Sequence, residues 1–106
     1  MHIYPVTSSD LGEISSLRPD GWADITPWFR FYLANGFCSP YKLVEDGVTA
    51  GSGVIIFFGD TAWLAHVIVR PEFRRRGFGS AIVGHLLGCA AAKNVRTVSL
   101  IATDLG

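Results

Sequence analysis

Residues 74–80 read "RRRGFGS": three consecutive arginines, then Gly77 and Gly79 on either side of Phe78, then Ser80. Three guanidiniums concentrate positive charge and planar hydrogen-bond donors, which suits phosphate groups. Glycines let a backbone approach an anion with no Cβ in the way. A helix opened by Gly77 would present unpaired amides and the positive end of its dipole to the same point. Arg74, Arg75, Arg76, Gly77, Phe78, Gly79 and Ser80 therefore form a candidate phosphate cradle, suited to a polyanionic ligand more than to a lone carboxylate. A glycine pair alone is weak evidence, and an arginine-rich turn is more often a solvated corner. Their coincidence is the signal. A dinucleotide fingerprint needs a third spaced glycine, and a Walker A loop needs Gly-Lys-Ser/Thr; neither is present.

Other chemistry-bearing residues are sparse. His66 is the titratable side chain in the apolar run leading to the cradle, and imidazole suits base work near neutral pH. The bland alternative is a histidine packed and hydrogen-bonded under helices. His85 falls in the middle of the next helical pattern and reads as structural or exposed. Cys38 and Cys89 lie far apart, without nearby histidine partners, so they read as buried thiols and imply no metal. Glu13, Asp20 and Asp24 could attract an amine, although exposed carboxylates are ordinary.

The elements that must hold these groups belong to one domain of 106 residues, 49% apolar, with nine basic and nine acidic residues cancelling. That neutrality disfavours nucleic acid or an anionic membrane as partner. The longest strictly apolar run, residues 54–58, is too short to span a bilayer, and residues 1–10 carry no signal-peptide pattern; a cytoplasmic protein is expected.

Residues 2–7 read as a first strand, followed by a short helix from about Asp10 with Ser8 or Ser9 as its cap. Thr26-Pro27 reads as the cap and first position of a second, aromatic helix that ends at Asn35-Gly36. Three strands follow, "YKLVE", "VTAGSGVIIFF" and "TAWLAHVIVR", separated by the turns Asp46-Gly47 and Gly59-Asp60. Gly51 and Gly53 inside the middle strand signal a bulge or a close backbone approach. Apolar Phe78, Ile82, Leu86 and Ala90, with Val83 and Leu87 broadening the stripe, mark an amphipathic helix over residues 77–93. Residues 97–103 form a last strand, so the order is βααβββαβ, an α/β (α+β) mixed-sheet fold.

The string "RRRGFG" resembles the R/Q-x-x-G-x-G/A signature of the GNAT superfamily of N-acetyltransferases, with Arg74, Gly77 and Gly79 in its first, fourth and sixth positions. The preceding "VIVRPEFR" is similar to that family's fourth strand and its V-x-P-x-x-R exit, and the element order is similar to the N-terminal two thirds of the family fold. The resemblance implies that acetyl-CoA is the acyl donor, its pyrophosphate held by the cradle and its pantetheine arm paired with Val67, Ile68 and Val69, where the fourth strand splays from the fifth. It implies direct attack of an amine on the thioester, with a strand-bulge amide polarising the carbonyl. Members with a base on this strand place it an even number of residues before Val69, at the positions of Trp63 and Ala65; His66 is out of phase unless a bulge restores it.

The family's acidic tyrosine lies on a helix after the fifth strand, and neither Tyr32 nor Tyr41 matches it, so the general acid is not assigned. The resemblance thus implies a chain truncated after its fifth strand, whose open edge invites a homodimer. The acceptor, a small-molecule or peptide amine, would lie over the segment carrying Trp22, Trp28, Phe29, Phe31, Tyr32 and Phe37, although aromatics at helical spacing are more often core than pocket. A non-catalytic acyl-CoA-binding or assembly module is the alternative function.

Overall fold

A computed structural model describes residues 1–100 of the chain. The expected order is observed: strand β1 (His2–Pro5), helices α1 (Leu11–Ser15) and α2 (Thr26–Ala34), strands β2 (Cys38–Glu45), β3 (Val48–Phe58) and β4 (Thr61–Val69), helix α3 (Phe78–Ala92) and strand β5 (Thr97–Leu100). Single 3-10 turns at Ser8–Asp10 and Pro71–Phe73 precede α1 and follow β4. The five strands form one sheet in sequence order, antiparallel from β1 to β4 and parallel between β4 and β5. The expected residues of the last strand beyond Leu100 lie outside the described residues, and so does any splay of β5 from the end of β4.

Helices cover both faces of the sheet. Ile82 and Leu86 of α3 pack with Leu43, Ile55 and Leu64 on one face; Ile14 of α1 and Phe29 and Tyr32 of α2 pack with Cys38, Val54 and Ile68 on the other. Adjacent residues Val54 and Ile55 serve opposite cores, as alternation along a strand requires. Coverage of both faces explains why β3 is buried continuously from Thr49 to Ile55 instead of alternating with solvent.

Local chemistry places the ends. The Asp46-Gly47 turn has both residues at positive φ, 53° and 75°, the geometry that a two-residue hairpin turn demands. In the first helical segment the cap is Thr7 rather than Ser8 or Ser9: its backbone amide donates to Asp10 Oδ2 at 2.8 Å, and Asp10 Oδ1 also accepts from Lys42 Nζ at 2.6 Å. Thr26 is the first residue of α2 and not its cap. Its amide and its hydroxyl both donate to Asp24 Oδ1, at 3.0 and 2.8 Å. The carboxylate two residues upstream does the work expected of the threonine because it reaches the orphan donors from outside the helix.

Of the predicted α3 stripe, Phe78, Ile82, Leu86 and Ala90 are buried, whereas Leu87 is exposed on the flank. The glycines of β3 are where α3 comes closest. A Cβ on Gly51 would sit 2.7 Å from the carbonyl oxygen of Ile68 and 3.0 Å from Cδ1 of Ile82, and a Cβ on Gly53 would overlap Cγ2 of Ile82.

Candidate functional site

The site begins with a fault in the β3–β4 ladder. Ser52 pairs with Ile68 and Val54 with Ala65, so two steps along β3 match three along β4, and His66 lies in the extra step at φ 50°. This is a bulge, and it reverses the facing of the strand's end. Leu64 packs under α3, yet Ile68 packs under α1 and α2. Strict alternation would have put them together. His66 is thereby turned toward α2, so the phase objection to it raised by simple alternation does not hold. The carbonyl of His66 accepts a hydrogen bond from the hydroxyl of fully buried Ser52 at 3.0 Å, which stabilises the bulge from the neighbouring strand.

The His66 ring lies among aromatic side chains of α2, with its centroid 5.6 Å from Phe29, 5.6 Å from Tyr32 and 6.1 Å from Trp28. Its Nδ1 is 2.8 Å from the hydroxyl of Tyr32. Burial lowers the His66 pKa below its ordinary value, favouring the neutral ring. Burial, with a smaller contribution from Cys38, pushes the Tyr32 phenol up to about 12. The aromatic segment thus divides: Phe29 and Tyr32 are core, Trp22 is half-buried against that core, and Trp28, Phe31 and Phe37 are exposed. The Tyr32–His66 pair joins residues 34 apart in the chain and carries no local sequence signal.

At the other end of the same strand the backbone turns into the arginine loop. Val69 ends β4, the Pro71–Phe73 turn follows, and Gly77 caps α3 at φ 80°. Arg75 also adopts positive φ, 63°. The first backbone bond of α3 runs from the Ala81 amide to the Gly77 carbonyl at 3.0 Å, which leaves the amides of Phe78, Gly79 and Ser80 with no acceptor inside the helix. A Cβ on Gly79 would meet nothing nearer than Cγ2 of Val69, at 3.8 Å, so the space beside that glycine is open.

The arginines have separate duties. Arg74 donates from Nε to the carbonyl of Val69 at 3.2 Å, and the Arg76 guanidinium lies over the rings of Phe73 and Phe78, 5.5 and 5.8 Å from their centroids. Arg70, which the motif reading passed over, ties the corner down. Its amide donates to Ala50 O at 2.8 Å, its Nε to Thr49 O at 2.7 Å and its Nη2 to Ser16 Oγ at 2.6 Å.

The remaining candidates separate from this site. Asp24 is committed to Thr26 and to the hydroxyl of Ser15, and those hydrogen bonds hold its carboxyl below the usual range. His85 packs edge-on against Tyr41, with centroids 4.4 Å apart, on the α3 side of the sheet. Cys38 is buried, whereas Cys89 is half-buried and donates to the Tyr41 hydroxyl at 3.6 Å.

The same architecture recurs in solved structures. The ribosomal-protein-S18-alanine N-acetyltransferase of Escherichia coli superposes with a TM-score of 0.83 at 22% identity over 93% of this chain, which spans 64% of that protein's length. An aminoglycoside 6'-N-acetyltransferase of Acinetobacter haemolyticus superposes with a TM-score of 0.82 at 16% identity, covering 98% of this chain and 81% of that one. A Clostridium acetobutylicum protein described as a predicted acetyltransferase and solved with acetyl-CoA gives 0.78 at 18% identity, with 99% and 82% coverage. Identities this low speak to the fold. The sequence model of the acetyltransferase (GNAT) family, however, matches residues 5–105, which takes in strands β2 to β5, the bulge and the loop alike. The arginine–glycine loop and the strand that feeds it are therefore those of a chain that belongs to the acetyltransferase (GNAT) family.

Proposed function

We propose that the chain transfers an acetyl group from acetyl-CoA to an amine by direct attack. The observation that carries this reading is the layout of β4, which brings a bulge bearing His66 and the entry to a glycine-opened helix onto one strand. The pyrophosphate would rest on the amides of residues 75–80, flanked by Arg74. The pantetheine arm would run along Val69, Ile68 and Val67, so that the thioester arrives beside His66. His66 is then the catalytic side chain of this reading. The amine lone pair forms the C–N bond, the carbonyl electrons move onto oxygen, and collapse expels the CoA thiolate. The proton lost by the attacking nitrogen ends on that thiolate, through water.

The acceptor belongs on the α2 side, where exposed Trp28 and Phe31 flank the part-buried Tyr32–His66 pair. Similarity to enzymes named for aminoglycosides and for a ribosomal-protein alanine makes both classes of amine the first to try. A cytoplasmic location fits this chemistry. A homodimer through β5 is part of the reading as well: among the described residues that strand pairs only with β4, and Leu100 is exposed on it.

The test is calorimetric titration with acetyl-CoA, followed by thiol release with a panel of aminoglycosides, polyamines and peptides with an N-terminal alanine. Binding with turnover of at least one amine is expected. Binding with no amine-dependent turnover would instead identify an acyl-CoA-binding module. Sedimentation at micromolar concentration checks the dimer, and a monomer there removes it.

A further inference from the structure

The Tyr32–His66 contact decides which nitrogen of the imidazole faces the site. A neutral imidazole has one N–H and one lone pair, so Nδ1 either accepts from the Tyr32 hydroxyl or donates to it. Tyr32 is 3% exposed, and its hydroxyl has no other hydrogen-bond partner among the described residues. The rings of Phe29 and Phe31 pack on its ring, and the Cys38 thiol, near enough to help raise its pKa, offers only a weak sulfur acceptor. Were Nδ1 the donor, the phenol proton would be left with no better acceptor than that sulfur, among the described residues. The phenol keeps its proton throughout the neutral range, since burial raises its pKa to about 12. Tyr32 therefore donates, Nδ1 accepts, and the single ring proton sits on Nε2.

We infer that His66 acts as a neutral hydrogen-bond donor through Nε2–H, aimed at the acyl carbonyl oxygen of the bound thioester, with Tyr32 as the positioning residue that keeps Nδ1 unprotonated. This rests on the acyl-transfer reading for the identity of the acceptor atom, but not for the tautomer. A ring in this state cannot take a proton at Nε2, so it is not the base that its strand position suggests. What it offers is stabilisation of the oxyanion, a role in which a neutral imidazole held by its other nitrogen is effective. Nε2 has no hydrogen-bond partner among the described residues, and the residue is half-buried, so the donor is held by α2 on one side and unspent on the other. The bulge makes this possible: with His66 at φ 50°, the ring turns toward α2 while Val67 to Val69 remain in the strand for the pantetheine arm. As the amine attacks, the carbonyl oxygen gains the electron pair and accepts from Nε2–H. The proton leaving the nitrogen passes to water and then to the thiolate, and His66 ends the cycle as it began.

Two measurements test this on the full chain. Long-range proton–nitrogen spectra of the histidine-labelled protein at neutral pH, with His66 assigned by its loss in His66→Gln, should show a protonated Nε2 and an unprotonated, hydrogen-bonded Nδ1. Protonation at Nδ1, or at both nitrogens, would overturn the inference without any variant needing to fold. In Tyr32→Phe the Nδ1 resonance should move toward that of a free ring nitrogen, which loss of packing alone does not predict. The second measurement is the infrared carbonyl stretch of bound carbon-13-labelled acetyl-CoA. It should lie lower in wild type than in His66→Ala and be largely restored in His66→Gln, whose side-chain amide can donate where Nε2–H did. A base would leave the stretch equal in all three. If acetyl-CoA does not bind at all, the acyl-transfer reading fails and takes the carbonyl partner with it, while the nitrogen spectra still decide the tautomer.

Discussion

Leu64 and Ile68, four residues apart on β4, face opposite sides of the sheet, Leu64 toward α3 and Ile68 toward α1 and α2. The cause is the extra residue at the bulge, and the site depends on it: without the reversal, His66 and Tyr32 would not meet.

Ser52 supports that reversal. Its hydroxyl satisfies the His66 carbonyl inside the protein, so Ser52→Ala leaves a buried acceptor without a partner, a loss of about 1–3 kcal/mol. Urea denaturation should show a lower midpoint with unchanged slope, and an unaltered midpoint would mean that the bulge holds by other means.

Gly53 and Gly84 should respond to alanine in opposite directions. At Gly53 the new methyl overlaps Ile82, and overpacking of this kind costs about 1–3 kcal/mol. At Gly84, in the middle of α3, nothing lies within 4 Å of the added methyl, and a helical glycine replaced by alanine gains roughly 0.5–1 kcal/mol. Thermal midpoints of the two variants should fall on either side of wild type.

Gly79→Glu separates binding from folding. Only Val69 approaches the new Cβ, at 3.8 Å, so the melting temperature should stay close to wild type. A carboxylate at the mouth of the proposed pyrophosphate cradle should weaken CoA by at least about tenfold, or roughly 1.4 kcal/mol. Unchanged CoA affinity in calorimetry would remove the cradle from this position.

Stability should fall in two acid steps. Burial acts to raise the Asp10 pKa, but the hydrogen bonds from Lys42 and Thr7 outweigh it and leave the carboxyl below its ordinary 3.8. Its contribution is therefore complete above pH 3.8 and is lost as pH falls through the lower, folded value. Burial depresses the His66 pKa below 6.5, so stability also declines below that pH as the unfolded chain takes up a proton that the folded ring resists. Urea midpoints measured against pH should lose the first step in Asp10→Asn and the second in His66→Gln.

The contrasts between sequence and structure follow the range of the forces involved. The Asp46-Gly47 turn, the buried stripe of α3 and the opening of that helix at Gly77 are local, set within a few residues, and they were readable as such. Gly51 and Gly53 did mark an irregular, closely approached stretch of β3, where Ala50 is the extra residue against β2 and Ile82 comes close, but the bulge against β4 carries its extra residue on β4. The partner of the bulge was hidden, because it depends on which residue of β4 meets Ser52. The part played by Thr26 was misread because Asp24 and Thr26 carry equally good oxygens, and only the path of the chain, which makes Ile25 the cap residue and Thr26 the first helical one, selects between them. The aromatic segment was legible as a helix but not in its division, since Phe29 and Tyr32 are buried and Trp28 and Phe31 exposed according to how α2 is rolled on the sheet. The pairing of Tyr32 with His66 was beyond any pattern search, being the product of that roll and of the bulge together.

Among the described residues, the strands separate the two cores. Val6, Ile14, Leu17, Ile25, Phe29 and Tyr32 form one interior with the sheet, while Phe78, Ile82, Leu86 and Ala90 form another. The sheet is thus a partition wall. Under the proposed placement of the acceptor on the α1–α2 side and of CoA at the N-terminus of α3, residues on one side of the wall could change without disturbing the other, so a lineage of such chains could vary one specificity and hold the other fixed.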